Sequence, residues 1–139
     1  MSQLTSILLV DDDTTTNFLN KLLLQTMNVA KYLLVAENGA EALQTLQQNC
    51  GVEPGRACPQ LILLDMNMPI MNGLAFLEAY SQWPAAQRQG IVIVMLTTSL
   101  HERDLTRAQA LPIAGFLDKP LTREKVAAIL QKHFTPPAT

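Results

Sequence analysis

Short apolar runs alternate with amphipathic segments along most of this 139-residue chain. The runs are apolar at nearly every position, which is typical of strands in a parallel sheet that helices cover on both faces. They lie at residues 6–10, 32–36, 61–65, 91–96 and 114–118. The alternation predicts an α/β fold with a doubly wound, five-stranded parallel sheet and right-handed crossovers.

Helical spacing of apolar residues is found in the intervals between the runs. In the first interval, residues 14–27, one apolar stripe indicates a helix that packs on the core through this face. The stripe consists of Phe18, Leu19, Leu22, Leu23 and Met27. The other helical segments are residues 38–48, 72–80, 101–111 and 122–134, so five helices are expected.

The composition is that of a globular protein, with 48% hydrophobic and 16% charged residues. Residues 1–134 are predicted to form one domain, and residues 135–139, which include two prolines, a flexible tail. The net charge of −2 gives no reason to expect nucleic acid or an anionic membrane as a partner. The sequence contains neither a membrane-length apolar run nor a basic signal-peptide start, so we expect a cytoplasmic protein.

Cys50 and Cys58 flank a segment that contains glycine and proline. They could form a redox-sensitive disulfide across a short loop, or they could be two ordinary thiols. Because cytoplasmic thiols are generally kept reduced, we predict two free thiols. The sequence has no CxxC pair and no paired histidines, so a zinc site is not expected.

Polar residues stand where four of the predicted strands end. Asp11 and Asp12 follow the first run, Asp65 ends the third, Thr97 follows the fourth and Lys119 follows the fifth. The carboxyl ends of parallel strands meet at one edge of a sheet, and open α/β sheets bind their ligands there. Carboxylates, a hydroxyl and an ammonium group at one edge indicate a site for a cation and an anion together.

With these residues in place, the chain resembles the response-regulator receiver domain, the family of the bacterial chemotaxis regulator. The resemblance extends from Ile7 to about Phe134 and includes the acidic pair, "LLDMNMPIMNG", the threonine after the fourth run and "KP" after the fifth. It implies the flavodoxin-like strand order 2-1-3-4-5. It also implies a signalling switch of a two-component system, phosphorylated by a histidine kinase or a histidine phosphotransfer protein. Because little follows the last helix, we expect a stand-alone, single-domain response regulator.

The resemblance assigns roles to the residues at the strand ends. Asp65 would be the phosphoacceptor, Thr97 would donate its hydroxyl to the phosphate, and Lys119 would pair with a phosphate oxygen. A Mg²⁺ ion would be bound by Asp11, Asp12, Asp65 and the backbone carbonyl of Asn67. Magnesium suits such a site because it binds a few carboxylate oxygens and keeps several waters. Asp13 is expected to favour the start of the first helix through the helix dipole, without a metal role.

Two further features are carried over from the family. Phe116 would change rotamer as Thr97 moves toward the phosphate, and residues 101–111, the fifth strand and residues 122–134 would form the readout surface. Asn67 and Ser99 occupy positions that modulate loss of the phosphate. Because neither side chain is bulky or charged, we expect water to reach the phosphate, so that the protein has autophosphatase activity without being a turnover enzyme.

Three other interpretations compete with this one. A haloacid-dehalogenase-type phosphatase would need a second aspartate two residues after Asp65, but Asn67 cannot supply the proton. A flavin-binding module of the flavodoxin type would need a phosphate loop where this chain has Asp11–Asp13. A docking module of the same fold that acts without phosphorylation remains open. We expect a monomer or a weak homodimer.

Overall fold

The computed structural model describes residues 3–50, 58–88, 90–98 and 102–134, with the backbone alone for 102–105. Within these residues, five parallel strands form one sheet in the order β2-β1-β3-β4-β5. The strands are β1 (Leu4–Val10), β2 (Ala30–Ala36), β3 (Leu61–Asp65), β4 (Val92–Thr97) and β5 (Gly115–Asp118). The predicted fold class and the strand order 2-1-3-4-5 are confirmed.

Six helices are found in the described part of the chain. They are α1 (Thr14–Met27), α2 (Gly39–Asn49), α3 (Gly73–Ser81), α4 (Ala85–Arg88), α5 (Glu102–Gln109) and α6 (Arg123–Phe134). The prediction of five helices was wrong because α4, at 4 residues, is too short to show a periodic pattern. None of the described helices is long and apolar enough to cross a membrane. The predicted tail, residues 135–139, lies outside the described residues.

The sheet separates two hydrophobic cores, as expected for a doubly wound fold. Alternate residues of β1 point to opposite faces: Leu8 packs with α2 and α3, and Leu9 packs with α1 and α6. All five residues of β3 are buried. Full burial of one leucine side chain contributes about 1.5–3 kcal/mol to the stability of the folded state. The central strands therefore form a stable base for the polar residues at their ends.

The predicted apolar stripe of α1 is partly wrong. Leu23 and Met27 pack on the core, but Phe18 and Leu19 are each 57% exposed and Leu22 is 50% exposed. We call these three exposed residues the α1 outer face.

Asn17 explains why α1 turns a different face to the core from the one that the apolar stripe predicts. Its side-chain amide donates a 2.7 Å hydrogen bond to the backbone carbonyl of Asp11, and the residue is buried. Asn17 and Leu24, two helical turns apart, therefore form the centre of the buried face. A pattern of apolar residues alone cannot reveal a buried asparagine at that position.

The prediction that Cys50 and Cys58 are free thiols was also wrong. They form a disulfide, with their Cα atoms 4.9 Å apart. The backbone N–H of Cys50 caps α2 by donating to the Leu46 carbonyl at 2.7 Å, and both cysteines pack on the core beside α2. The end of α2 therefore lies next to the chain that leads into β3. Residues 51–57 between the cysteines lie outside the described residues.

Gly73 allows α3 to start directly against the end of β3. Its backbone N–H donates to the Met66 carbonyl at 2.9 Å. A Cβ atom at this position would lie 2.6 Å from the carbonyl oxygen of Asp65, which is backbone and cannot rotate away. The absence of a side chain at Gly73 therefore sets the distance between α3 and the strand that carries Asp65.

We expect Gly73→Ala to lower the free energy of unfolding by about 1–3 kcal/mol, the usual range for overpacking a filled site. Urea unfolding followed by circular dichroism measures this change. Gly115→Ala is the matched control, because a Cβ atom there would meet nothing within 4 Å. It should change the stability by no more than about 0.5 kcal/mol. Equal effects of the two substitutions would contradict the packing described for Gly73.

Candidate functional site

The strand order brings the predicted polar residues to one edge of the sheet. Asp11 follows β1, Asp65 ends β3, Thr97 ends β4 and Lys119 follows β5. Adjacent strands are in register here, since Asp65 pairs with Leu96 and Thr97 pairs with Asp118. Asp11, Asp65 and Thr97 are buried, which is unusual for polar residues unless they have partners.

Three carboxylates form a cluster that could hold a metal ion. Asp11, Asp12 and Asp65 each offer one oxygen atom, and these atoms all lie within 4.8 Å of one another. Asp12 is exposed, so the cluster opens to solvent on its side. Carboxylate oxygens with open positions for water fit a hard divalent cation such as Mg²⁺. The residues present therefore fit the predicted metal.

The side chain of Lys119 reaches into this cluster. Its Nζ atom donates to Oδ2 of Asp11 at 2.8 Å and lies 2.9 Å from Oδ1 of Asp65. The lysine side chain is only 20% exposed and lies within the carboxylate cluster, where the sequence predicts it; its role at the phosphate stays a prediction. Three carboxylates and one ammonium group leave two formal negative charges, which one divalent cation would balance.

Burial and neighbouring charges act on the ionisable groups of the site. Burial is the largest influence on Asp65 and raises its pKa; the hydrogen bond from Lys119 opposes this, and the charges of Asp11 and Asp12 add to it. Desolvation acts to lower the pKa of Lys119. Its hydrogen bonds and charge interactions with Asp11 and Asp65 outweigh desolvation, so the pKa is raised overall. The lysine therefore stays charged at neutral pH.

The turn that carries Lys119 is held from both sides. The backbone N–H of Lys119 donates to the Thr97 carbonyl at 2.9 Å, and the Lys119-Pro120 peptide bond is cis. The ammonium group of Lys125 donates to the carbonyls of Asp118 and Pro120 at 2.7 and 2.9 Å. Sequence reasoning missed Lys125, because a surface lysine six residues after Lys119 belongs to no motif.

The start of α1 positions the acidic pair. Asp13 is the N-cap of α1, and its carboxylate accepts from the backbone N–H groups of Thr15 and Thr16. The side-chain hydrogen bond from Thr16, followed by these backbone bonds, lowers the pKa of Asp13. The backbone N–H of Asp13 in turn donates to Oδ1 of Asp11 at 2.9 Å. The prediction that Asp13 serves the helix start is confirmed.

Asn67 lies on the exposed loop that joins β3 to α3. The loop is fixed at its end, because the Met71 carbonyl accepts from the backbone N–H of Gly39 at 2.8 Å and Asn72 caps α3. Ile70 in this loop has a φ of 68° and is 86% exposed. An exposed isoleucine in this left-handed conformation is uncommon.

The two residues predicted to switch share one face of the sheet. Phe116 pairs with Met95 and Thr97 pairs with Asp118 on the neighbouring strands β4 and β5. Phe116 is partly buried against the core that contains Met95. The predicted rearrangement of Thr97 and Phe116 stays a prediction. Ser99 lies outside the described residues.

We expect Asp65→Asn to stabilise the metal-free protein at pH 7. The raised pKa means that folding favours the protonated carboxyl group. The free energy of unfolding therefore falls as the pH rises from 3.8, the ordinary pKa, through the raised pKa of the folded state. Urea unfolding between pH 4 and 8 should show a gain that shrinks toward acid pH. Asp118→Asn, an exposed carboxylate outside the cluster, is the control, and an equal gain there would contradict this explanation.

Comparisons with known proteins agree with this fold. Residues 7–131 match the family described as the response regulator receiver domain. The chain is 34% identical over 113 residues to response regulator Rcp1 of Synechocystis sp., which covers 81% of this chain and 75% of that protein. It is 31% identical over 131 residues to part of the sensor histidine kinase GacS of Pseudomonas protegens, covering 91% of this chain and 13% of the kinase.

A solved structure shows the same architecture. The crystal structure of a two-component response regulator from Cytophaga hutchinsonii superposes with a TM-score of 0.82 at 26% identity, over 94% of this chain and 97% of that one. Together with the family match over residues 7–131, this similarity shows that the chain belongs to the response regulator receiver domain family.

Proposed function

We propose that this receiver domain is a phosphorylation-dependent switch of a two-component system. Receiver domains are signalling proteins rather than turnover enzymes. The observation that carries the proposal is the ammonium group of Lys119, which lies between Asp11 and Asp65 inside a cluster of three carboxylates. Phosphoryl transfer depends mainly on positioning and charge neutralisation, and this arrangement suits both.

Asp65 is the phosphoacceptor in this proposal. A carboxylate oxygen of Asp65 attacks the phosphorus of a phosphohistidine on the donor protein. The new O–P bond forms as the P–N bond breaks, and the imidazole leaves. Lys119 pairs with one oxygen of the transferred group, and the hydroxyl of Thr97 donates to another.

The three carboxylates would hold Mg²⁺, with the backbone carbonyl of Asn67 as a further oxygen ligand. When bound, the ion supplies positive charge that offsets repulsion between the phosphoryl oxygens and the carboxylates. Asp12 is exposed and is suited to receive a cation from solvent, while Asp11 is held in place by Lys119 and the backbone of Asp13.

The donor in this proposal is a histidine kinase or a histidine phosphotransfer protein. The α1 outer face supports a protein donor, because three large apolar side chains there have no cover. A groove beside Leu19 runs between α1 and the turn after β5, where Lys119 and Pro120 line it. A helix that packs on this face would reach the end of the sheet where Asp65 lies. Because histidine kinases draw on ATP, we place the protein in the cytoplasm.

The output in this proposal is a change in the surface of α5, β5 and α6. Thr97 moves toward the phosphate and Phe116 turns into the space that it leaves, since both share one sheet face. The guanidinium group of Arg107 pairs with Glu78 and connects α5 to α3. This surface then binds a partner protein, or the phosphoryl group passes onward to a histidine phosphotransfer domain.

We expect incubation with Mg²⁺ and acetyl phosphate to add the mass of one phosphoryl group to the protein. Intact-mass spectrometry measures the gain, which should vanish in Asp65→Asn and when EDTA removes the metal. Asp118→Asn should keep it, since this carboxylate lies outside the cluster. A gain that survives in Asp65→Asn, or one that never occurs in the wild type, would refute the proposed phosphoacceptor. Binding of a partner without phosphorylation would then favour the docking module.

We further propose that the phosphorylated form loses its phosphate spontaneously, because the small side chain of Asn67 is exposed and leaves room for water. Asn67→Arg should slow the decay several-fold by covering the phosphate. The measurement is the fraction of phosphorylated protein over time after the donor is removed. Gln47→Arg, at another exposed position on α2, is the control and should leave the decay rate unchanged. A decay rate unaffected by Asn67→Arg would show that water access at this position is not limiting.

A further inference from the structure

The disulfide between Cys50 and Cys58 takes no part in the proposed phosphoryl transfer. These residues are the 2 cysteines of the chain. Cys50 is 6% exposed at the end of α2, and Cys58 is partly exposed three residues before β3. Cys50 is therefore buried in the core, and Cys58 is the more exposed residue of the pair.

We propose that Cys50 and Cys58 form a reversible redox site, opened by a dithiol reductant, that controls how fast Asp65 is phosphorylated. This inference rests on the proposed function, which places the protein in the cytoplasm. Disulfides in that compartment are usually transient or redox-sensing, because the surrounding thiol pool reduces them. A disulfide with one partly exposed cysteine fits such a role, because exposed disulfides are the ones more easily reduced.

The redox step is a thiol–disulfide exchange. A thiolate of the reductant attacks Sγ of Cys58, a mixed disulfide forms, and the thiolate of Cys50 leaves. The second thiol of the reductant then attacks the reductant's first sulfur, which is bonded to Sγ of Cys58 in the mixed disulfide, and the thiolate of Cys58 leaves. Two electrons and two protons pass from the dithiol to the protein, which gains two thiols while the reductant becomes a cyclic disulfide. A buried cysteine thiol packs as a small apolar group, so the reduced domain should remain folded.

The disulfide is connected through α2 and β3 to the end of the sheet where Asp65 lies. At one end of these two elements the disulfide joins them; at the other end, the Gly39 N–H of α2 donates to the Met71 carbonyl beyond β3 at 2.8 Å. Between these two links, Leu46 of α2 and Ile62 of β3 belong to one core. The helix and the strand that ends in Asp65 are therefore joined at both ends.

Reduction removes the covalent one of these two links. The position of α2 against β3 then depends on packing and on the hydrogen bond at Met71. The loop that holds Asn67 runs from Asp65 to Met71, so a shift of α2 reaches the predicted metal ligands through this bond. Because a less fixed site is a poorer catalyst, we expect reduction to slow phosphorylation of Asp65 several-fold.

The test compares oxidised and dithiothreitol-reduced protein with Mg²⁺ and acetyl phosphate. Alkylation followed by mass spectrometry should count no free thiol before reduction and two after it, and circular dichroism should show a folded domain in both states. The rate of phosphorylation should fall several-fold on reduction and return after treatment with oxidised dithiothreitol. The double variant Cys50→Ala/Cys58→Ala is the control; it should phosphorylate at the rate of the reduced protein and ignore the reductant.

Three results would overturn the redox site: equal rates in the two states, resistance of the folded protein to dithiothreitol, or unfolding on reduction, which would leave the disulfide a structural crosslink. Absence of phosphorylation in both states would instead refute the proposed function. In that case the amide NMR signals of Gly39, Met71 and Asp65 decide the redox site independently. Changes in these signals on reduction support it, and unchanged signals refute it.

Discussion

The ion pairs of Lys119 with Asp11 and Asp65 are the interaction on which the functional edge of this protein depends. Carboxylates that follow adjacent buried strands repel one another and lose hydration, so the folded chain needs a positive charge between them. That charge is carried by Lys119, which follows the edge strand β5, two strands away from β3. The order of the strands, the turn after β5 and the carbonyl contacts of Lys125 all serve to deliver it.

Much of this arrangement could be predicted from the sequence for a simple reason. Strands covered on both faces must be apolar throughout, so the buried residues of β3 stand out, and the first polar residue after such a strand has to lie at its end. Asp65 was therefore located by where its apolar run stops, whereas Lys119, which follows Asp118, was singled out with the "KP" pair of the family resemblance. Parallel strands then bring those ends together whatever the helices between them look like.

The errors arose where a polar or short-range interaction outweighed the apolar pattern. Asn17 takes a buried position on α1 because Asp11 has a backbone carbonyl to satisfy, and this rotates Phe18 outward. Free thiols were favoured over the disulfide on grounds of compartment, although the deciding fact is the three-dimensional proximity of the end of α2 and the chain before β3. Lys125 donates hydrogen bonds to backbone carbonyls. Every residue has a backbone carbonyl, so the sequence does not show which ones accept these bonds.

The disulfide also affects how the thermodynamics of this molecule should be reported. It joins residues separated by 8 positions, and a crosslink around so short a loop restricts the unfolded ensemble by about 2–3 kcal/mol in the chain-entropy description. That amount is a sizeable part of the net stability of a small domain, about 5–15 kcal/mol. The melting temperature of this protein therefore depends on whether the disulfide is formed. A measured value has meaning only when the buffer's electrochemical potential is quoted with it.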